Sequence, residues 1–153
     1  MKKVLFVCLG NICRSAIAEG ILIDKVKTED LNIEVDSAGT SDYHIGEAPD
    51  KRMQQKAIEH NLDISYQKGR QFIKADFDEF DYIFAMDESN KEHILRLSRT
   101  EEDINKVALF LEENHPDKNL NVPDPYYGGA QGFEDVYQML DIACDNFIKN
   151  LRK

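Results

Sequence analysis

A cysteine and an arginine lie six residues apart in the stretch CLGNICRS, from Cys8 to Ser15, directly after the apolar run VLFV. A strand is predicted to end at this cysteine, and a helix is predicted to begin near the serine. A loop that feeds a helix N-terminus can point successive backbone N–H groups inward, where they bind anions. Arg14 adds a planar guanidinium, which suits two oxygens of a tetrahedral oxyanion. The stretch therefore predicts a site for phosphate or a similar oxyanion.

The thiol of Cys8 is expected at the centre of this anion site. Groups that bind a phosphate dianion also stabilise a thiolate, so we expect Cys8 to be ionised at neutral pH and able to attack phosphorus. Gly10 and Asn11 are residue types that tolerate left-handed backbone angles, which a curled loop needs. Ser15 can donate a hydrogen bond to the sulfur and help it to leave again. The loop amides and Arg14 would stabilise the charge on the transferring group.

A second stretch, PDPYYGG, supplies a candidate acid. Asp124 lies between two prolines that stiffen the backbone, and its carboxyl is a candidate general acid for a phenol leaving group. Tyr126 and Tyr127 follow it and are candidate walls of a slot for an aromatic ring. Asp, Pro and Gly are also common turn residues, so this stretch taken alone is equally well explained as a turn. Beside the Cys8 loop, the catalytic interpretation is favoured.

The other cysteines and the histidines leave several interpretations open. Cys144 falls in the apolar stripe of the last predicted helix, which favours a buried structural side chain. Cys13 is either inert or a resolving thiol that forms a disulfide with oxidised Cys8. A zinc site built on these two cysteines is disfavoured, because the four histidines are scattered without ligand spacing and fit ordinary surface positions better. We therefore expect no zinc site at these cysteines.

The composition limits the classes of protein. With 153 residues, of which 42% are hydrophobic, the chain is predicted to form a single domain over residues 1–153. Its net charge of −10 disfavours nucleic-acid binding, because the phosphate backbone favours basic surfaces. No apolar run approaches the ~20 residues that cross a bilayer, so no membrane association is expected. Three cysteines, an odd number, argue against a disulfide framework and favour a cytoplasmic location.

Four strands alternating with helices are predicted to position the reactive residues. The predicted strands are 4–7, 33–35, 82–86 and 107–111. The predicted helices are 15–27, a segment after Pro49 and Asp50 with Met53, Ala57 and Ile58 facing inward, 88–97, and 133–151. This alternation predicts an α/β fold, a single-domain three-layer sandwich in which a four-stranded parallel sheet has helices on both faces.

Reactive residue types follow the predicted strands. Cys8 ends the first strand, Ser37 lies just past the second, and Asp87 lies just past the third. Asp124 lies in a long loop predicted for residues 113–132, after the fourth strand. Because ligands bind beyond the carboxyl ends of parallel strands, these side chains are predicted to lie along one edge of the sheet.

Taken together, CLGNICRS, VDSAGT, FDYIFAMDESN and DPYYGG resemble the low-molecular-weight protein-tyrosine phosphatases along nearly the whole chain. The order of the motifs separates this family from other cysteine phosphatases, in which the acid precedes the nucleophile and a histidine precedes the cysteine. The resemblance implies a Rossmann-like phosphatase fold that needs no metal and no cofactor. It also implies hydrolysis of phosphotyrosine and small aryl phosphates through a phosphocysteine intermediate, together with acid phosphatase activity and a redox-sensitive cysteine.

The resemblance further implies a role for each matched residue. Cys8 would be the nucleophile, and Arg14 would bind phosphate while Asp87 holds its guanidinium. Asp124 would protonate the leaving tyrosine and then activate water. Cys13 would be the protective disulfide partner of Cys8. The phosphate loop and its hydrogen-bond network would also include Leu9, Gly10, Asn11, Ile12, Cys13, Ser15 and Ser37. The slot for the substrate ring would be lined by Leu9, Tyr43, Tyr126 and Tyr127.

Two residues depart from the family's pattern. Ala16 stands where a proline usually follows CRS, so the helix loses some preset geometry but no catalytic group. Gln67 stands where many members have a histidine in the hydrogen-bond network of the loop. An amide can still donate and accept, so the detail of the network is affected rather than the activity.

Three alternative functions are compatible with the same fold or site. Arsenate reduction, which some relatives perform, needs two further cysteines in a mobile segment, and only Cys144 is present outside the loop. A phosphoarginine phosphatase is the second, although the paired tyrosines favour an aromatic ester. A silent phosphotyrosine-binding module is the third. The expected partners are phosphotyrosine-containing proteins or peptides and phosphate-like oxyanions, and the chain is expected to be a monomer or weak dimer.

Overall fold

The computed structural model describes residues 1–113, 121–125 and 129–152. In the described residues, four parallel strands form a sheet with the spatial order β2-β1-β3-β4. The strands are β1 (Lys2–Cys8), β2 (Ile33–Gly39), β3 (Tyr82–Ala85) and β4 (Val107–Leu109). The helices are α1 (Arg14–Thr28), α2 (Lys51–Glu59), α3 (Asp76–Glu79), α4 (Glu88–Leu95), α5 (Glu101–Asn105) and α6 (Gly129–Leu151). A 3₁₀ helix spans Phe110–Glu113.

Helices cover both faces of this sheet. Val4 and Phe6 of β1 pack against α1, α2 and α6 on one face. Leu5 and Val7 pack against α3 and α4 on the other face. All four residues have no exposed surface, which explains why the first strand is continuously apolar rather than alternating. The predicted α/β sandwich, with a parallel sheet between helices, is confirmed.

The strand order places the end of β1 in the middle of the sheet. The chain passes from β1 to β2 on one side and then crosses back to β3 on the other side. A crevice opens beyond the carboxyl ends of the strands at such a reversal of direction, and ligands bind there. Cys8 ends β1 at this point, α1 begins shortly after it at Arg14, and Asp87 follows β3.

The ends of two strands differ from the prediction. β2 continues to Gly39 because every one of its residues pairs with β1, so Ser37 lies within the strand rather than beyond it. β4 is shorter than predicted: it ends at Leu109, and Leu111 lies in the 3₁₀ helix. The carboxyl ends of the strands still point toward one edge of the sheet.

The helices also differ in detail. α3 and α5 were not predicted, since each has at most five residues and no apolar period. α6 begins at Gly129, so the loop predicted for 113–132 is shorter than expected. Ile58 was predicted to face inward but is 65% exposed, because α2 buries only Met53 and Ala57. Within the described ranges, no helix is both long enough and apolar enough to span a bilayer.

Candidate active site

The loop after β1 turns its backbone carbonyl groups outward. The carbonyl groups of Cys8, Leu9 and Ile12 accept hydrogen bonds from the backbone N–H groups of residues 40, 41 and 50. By contrast, the N–H groups of residues 9–13 have no acceptor in the part of the chain that the structure describes. A bound oxyanion can supply these acceptors, because inward N–H groups form a concave anion site.

Asn11 and two glycines make the curl of this loop feasible. Asn11 is buried and has a φ of 58°, in the left-handed region. Gly10 does not adopt left-handed angles, contrary to expectation. A glycine is needed there because a larger side chain would collide with a neighbour. A Cβ on Gly10 would lie 2.9 Å from Cδ2 of His44. A Cβ on Gly39, at the end of β2, would lie 2.8 Å from the Leu9 carbonyl oxygen, so the second strand supports the loop closely.

A chain of hydrogen bonds connects the Cys8 sulfur to a buried carboxyl. Ser15 Oγ lies 3.0 Å from Cys8 Sγ. Asn11 Nδ2 donates to Ser15 Oγ at 2.8 Å and to Ser37 Oγ at 2.9 Å. Ser37 in turn donates to Glu19 Oε1 at 2.7 Å. Because the Asn11 amide nitrogen can only donate, Ser15 keeps its own hydrogen for the sulfur.

Glu19, which the sequence analysis missed, ends this chain of hydrogen bonds. Tyr66 donates to Glu19 Oε2 at 2.7 Å, so both carboxyl oxygens have a donor. Burial raises the pKa of Glu19, and the hydrogen bonds from Tyr66 and Ser37 oppose that rise. Gln67 donates to the Ala16 carbonyl at 2.9 Å and to the Tyr66 hydroxyl at 3.3 Å. Among the described residues, Gln67 therefore reaches the network through Tyr66.

Arg14 is held below the loop by two acceptors. Its Nη1 donates to Asp87 Oδ2 at 2.7 Å and to the Val122 carbonyl at 2.9 Å. Asp87 also caps α4, because its Oδ1 accepts from Asn90 N–H at 2.8 Å. Burial lowers the pKa of the Arg14 guanidinium, but the charges of Cys8 and Asp87 outweigh burial and raise it. The side chain is thus kept charged and fixed while only 3% exposed.

A cavity of about 80 Å³ opens at the loop. Its lining residues are Cys8, Leu9, Gly10, Ile12, Cys13, Ser41, Tyr43, His44 and Asp124. After burial, Asp50 and Cys8, the charge of Asp124 contributes to the raised pKa of the Cys13 thiol. It is also one of the lesser causes that raise the pKa of the Arg14 guanidinium, which burial by itself would lower. Asp124 and Tyr43 are both exposed at the mouth. Tyr126 and Tyr127, the other predicted slot residues, lie outside the described residues.

Ser41 and His44 line this cavity although the sequence analysis did not single them out. The Ser41 hydroxyl is buried and has no hydrogen-bond partner in the described chain, so a bound ligand can satisfy it. The His44 ring lies over Gly10, and its Nδ1 is 3.0 Å from Glu47 Oε2. Neither residue has a recognisable spacing to the motifs, so the sequence offers no signal for them.

All three cysteines are free thiols. Cys13 lines the same cavity as Cys8, and burial together with the nearby Asp50 raises the pKa of its thiol. Cys144 is fully buried in α6, as expected for a structural side chain. Among the residues that the structure describes, no three His, Cys, Asp or Glu side chains are grouped so that they could hold a metal ion.

Comparison with known proteins decides the family. The family model described as "Low molecular weight phosphotyrosine protein phosphatase" matches residues 3–153. The chain belongs to this family. The human low molecular weight phosphotyrosine protein phosphatase is 43% identical over 150 residues, which cover 97% of this chain and 94% of the human protein. Membership makes the chain a protein-tyrosine phosphatase, a hydrolase of phosphoric esters.

Solved structures of similar phosphatases share the fold. The protein tyrosine phosphatase from Entamoeba histolytica has a TM-score of 0.92 at 38% identity, covering 99% of this chain and 97% of that chain. The Drosophila arginine phosphatase has a TM-score of 0.91 at 35% identity, covering 100% of this chain and 99% of that chain. Because these relatives are named for different phosphorylated side chains, the low-molecular-weight phosphatase fold alone does not decide the leaving group.

Proposed function

We propose that this phosphatase hydrolyses phosphotyrosine in proteins, and small aryl phosphates, through a phosphocysteine intermediate on Cys8. The observation that carries this proposal is the set of hydrogen-bond donors around the Cys8 sulfur. A serine hydroxyl lies 3.0 Å from it, and the backbone N–H groups of residues 9–13 have no acceptor among the described residues. A nucleophile and an anion site therefore coincide in one loop, with the Arg14 guanidinium held beside them.

In the first step, the Cys8 sulfur attacks phosphorus. An S–P bond forms while the P–O bond to the tyrosine breaks. The loop N–H groups and Arg14 stabilise the negative charge on the phosphoryl oxygens, and they need no reorganisation because their positions are fixed beforehand. Asp124 gives its proton to the leaving phenol oxygen, a contribution of ~10²–10⁴-fold for a positioned acid.

In the second step, the Asp124 carboxylate takes a proton from a water molecule, whose oxygen attacks the phosphocysteine. The S–P bond breaks, inorganic phosphate is released, and the sulfur leaves as a thiolate. Ser15 donates to that thiolate because the amide of Asn11 already donates to the serine oxygen. The buried network that ends at Glu19 thereby lowers the cost of regenerating the nucleophile.

Phosphoarginine is the second candidate substrate, since the Drosophila relative is named an arginine phosphatase. Phosphotyrosine is favoured by the mouth of the cavity, where Leu9 and Tyr43 expose apolar and aromatic surface to a substrate ring. Peptides of one sequence with either phosphorylated residue separate the two candidates. We expect kcat/KM to be about 10-fold or more higher for phosphotyrosine. A higher value for phosphoarginine would reverse the assignment.

Partitioning of the phosphoryl group between water and an added alcohol tests the covalent mechanism. If every aryl phosphate passes through the same phosphocysteine, the ratio of alcohol transfer to hydrolysis is the same whatever phenol has left. A ratio that changes with the leaving group would contradict the intermediate. Cys8→Ser should bind inorganic phosphate yet keep less than about one per cent of the turnover. A catalytically silent binding module would show no turnover even with Cys8 in place.

Arsenate reduction is not supported by the thiols. Apart from Cys8 and Cys13, Cys144 is the third cysteine, and it has no exposed surface within α6. A relay that passes a disulfide outward needs accessible thiols. Turnover of arsenate coupled to thioredoxin is expected to be absent.

Several further properties are part of the proposal. Residues 1–153 act as one catalytic domain in the cytoplasm, where reducing conditions keep the three thiols free. Phosphate-like oxyanions compete with substrate at the loop, and Cys13 protects oxidised Cys8 by forming a disulfide. The protein acts as a monomer or weak dimer and binds neither nucleic acid nor membranes.

A further inference from the structure

A second cavity, of about 280 Å³, lies beside the active-site mouth between the end of β2 and α4. Thr40 lines this cavity, and the next residue, Ser41, lines the active-site cavity. We infer that the second cavity is a substrate subsite, which receives an acidic side chain and an adjoining apolar side chain of the phosphotyrosyl polypeptide. This inference rests on the proposed function, because the phosphotyrosine must occupy the loop at Cys8.

The floor of the subsite is apolar and belongs to the core. Phe72 and Ile94 line it while being almost completely buried, and Leu97 beside them is partly exposed. Side chains fixed in a core present a preformed surface, so binding of a ligand loses little free energy in ordering them. An apolar substrate side chain that covers this floor removes further apolar surface from water.

The rim of the subsite is basic, in contrast to the protein as a whole. Of the six arginines in the sequence, Arg14, Arg52, Arg70, Arg99 and Arg152 form ion pairs with carboxylates. Arg96, which lines the subsite and is exposed, has no carboxylate partner within the residues described. In a chain of net charge −10, an uncompensated guanidinium beside the active site selects an acidic group on the ligand.

His93 adds a second polar group to this rim. Its Nδ1 lies 2.7 Å from the Ser89 carbonyl oxygen. Because a carbonyl oxygen only accepts, Nδ1 must carry the hydrogen of this bond. The Nε2 atom then accepts a hydrogen bond when the ring is neutral and donates one when the ring is protonated, so it can pair with either a carboxylate or a peptide group.

The segment between the two cavities is held in place at both ends. Thr40 N–H donates to the Cys8 carbonyl at 2.9 Å, and the Thr40 carbonyl accepts from Gln71 Nε2 at 3.2 Å. Because the consecutive residues Thr40 and Ser41 line the two cavities, the acidic side chain is expected only a short way along the substrate chain from the phosphotyrosine. The subsite and the phosphate loop therefore recognise a single short stretch of substrate.

Matched phosphopeptides test the subsite. A Glu–Leu pair is placed at successive distances from the phosphotyrosine and compared with a Gln–Leu pair. At one spacing we expect kcat/KM to be about 5-fold higher for the glutamate peptide than for the glutamine peptide, which is the effect expected of one exposed ion pair. The two kcat/KM values should become equal as the salt concentration is raised. Arg96→Ala should remove that preference while leaving turnover of p-nitrophenyl phosphate unchanged. Arg96→Glu should reverse it in favour of a Lys–Leu peptide.

Lys91→Ala is the matched control, because Lys91 is a cation in α4, the helix that ends just before Arg96, and does not line the subsite. This variant should keep the glutamate preference in full. Equal rates for the glutamate and glutamine peptides at every spacing would overturn the subsite alone, as would a preference that survives Arg96→Ala. Absence of turnover on every peptide and on p-nitrophenyl phosphate would overturn the proposed function, and the subsite with it.

Discussion

The proposed mechanism makes two opposite demands on the sulfur of Cys8, because it must first attack phosphorus as a nucleophile and later depart as a leaving group. The donor directions in the network meet both demands. Asn11 donates to Ser15 and Ser37, and Ser37 donates to Glu19, so the hydroxyl hydrogen of Ser15 is directed to the sulfur. A hydrogen bond to the anion favours the thiolate both before attack and after release of phosphate.

Replacement of Asp124 should slow some phosphate esters more than others, according to how readily their phenol leaves. In Asp124→Ala, phenyl phosphate should be slowed ~10²–10⁴-fold, because its phenol leaves poorly without a proton. An ester with an acidic phenol should be slowed much less in the first step. Single-turnover release of each phenol measures the difference. Asp42→Ala, which removes another exposed carboxylate near the mouth, is the control and should slow both esters little and equally. Equal slowing by Asp124→Ala would mean that this carboxyl is not the acid.

The end of β2 shapes the phosphate loop through one glycine. In Gly39→Ala the new methyl would meet the Leu9 carbonyl at 2.8 Å and Asn11 N at 3.1 Å, so the loop backbone must move. We expect a loss of at least about 10-fold in kcat/KM, since small displacements of positioned groups are costly in catalysis. Gly132→Ala in α6 is the control: its methyl finds ordinary contacts, and activity should be unchanged. Full activity of Gly39→Ala would show that the loop tolerates displacement.

The contact between Tyr66 and α1 is predicted to stabilise the network in a pH-dependent way. Tyr66→Phe removes the donor to Glu19 Oε2 and should lower the free energy of unfolding by about 1–3 kcal/mol at neutral pH. The native pKa of Glu19 is already raised by burial and should rise further. When the pKa of a carboxyl is raised in the native state, the free energy of unfolding falls as pH increases through that pKa. The stability difference between Tyr66→Phe and the native chain should therefore shrink at low pH, where Glu19 is protonated in both the folded and the unfolded state.

Urea unfolding at about pH 4 and about pH 7 measures this difference. Tyr82→Phe is the control, because its hydroxyl makes no hydrogen bond within the described part of the chain, and it should show no such pH dependence. A deficit of the same size at both pH values for Tyr66→Phe would contradict an ionised Glu19 as the acceptor.

Across the whole molecule, ion pairs connect the helices on one face of the sheet. Glu134 of α6 bonds His60 at 3.0 Å and Lys56 of α2 at 3.2 Å. Hydrogen bonds from Gln138 and His60 lower the pKa of Glu134 to about 2. A lowered carboxyl pKa contributes stability above the unfolded value, which is lost as pH falls from 4.5 toward about 2. The Glu134 side chain is 28% exposed, so water screens these contacts in part and the contribution is modest.

Glu134→Gln should therefore be less stable than the native chain at about pH 7, and most of this difference should be gone at about pH 2. The measurement is thermal unfolding across this pH range. Glu92→Gln, at an exposed position in α4, is the control and should track the native chain throughout. A deficit for Glu134→Gln that persists unchanged at the lowest pH would show that its origin is not the charge of Glu134.

Features with a local or periodic signal could be predicted from the sequence. The apolar run before Cys8 forms a strand buried on both faces, and the stripe from Phe133 onward forms α6. α3 and α5 lack such a period. α5 is stabilised by an N-cap, in which the Thr100 side chain accepts a hydrogen bond from Asp103 N–H. α3 is stabilised by a residue distant in sequence, because the Lys106 side chain donates to the Phe77 carbonyl.

Two of the long-range pairings described above left no trace in the sequence. Glu19 and Tyr66 are 47 residues apart and meet only because α1 packs near the segment after α2. The subsite with Arg96 depends on α4 lying against the end of β2, which no local pattern specifies. The motif residues of the phosphate loop are consecutive, so the sequence could indicate them. Glu19 and Tyr66, which support the loop, are distant from each other in the sequence and could not be found in this way.

Trapping the phosphorylated enzyme is the most direct test of covalent catalysis by Cys8. Asp124→Ala lacks the proposed base for hydrolysis, so with an ester of an acidic phenol the intermediate should accumulate. After rapid denaturation and digestion, mass spectrometry should find one phosphoryl group on the peptide that contains Cys8, bound to its sulfur. A phosphoryl group on Ser15 or Cys13, or turnover of the ester with none on the chain at any time, would contradict the mechanism.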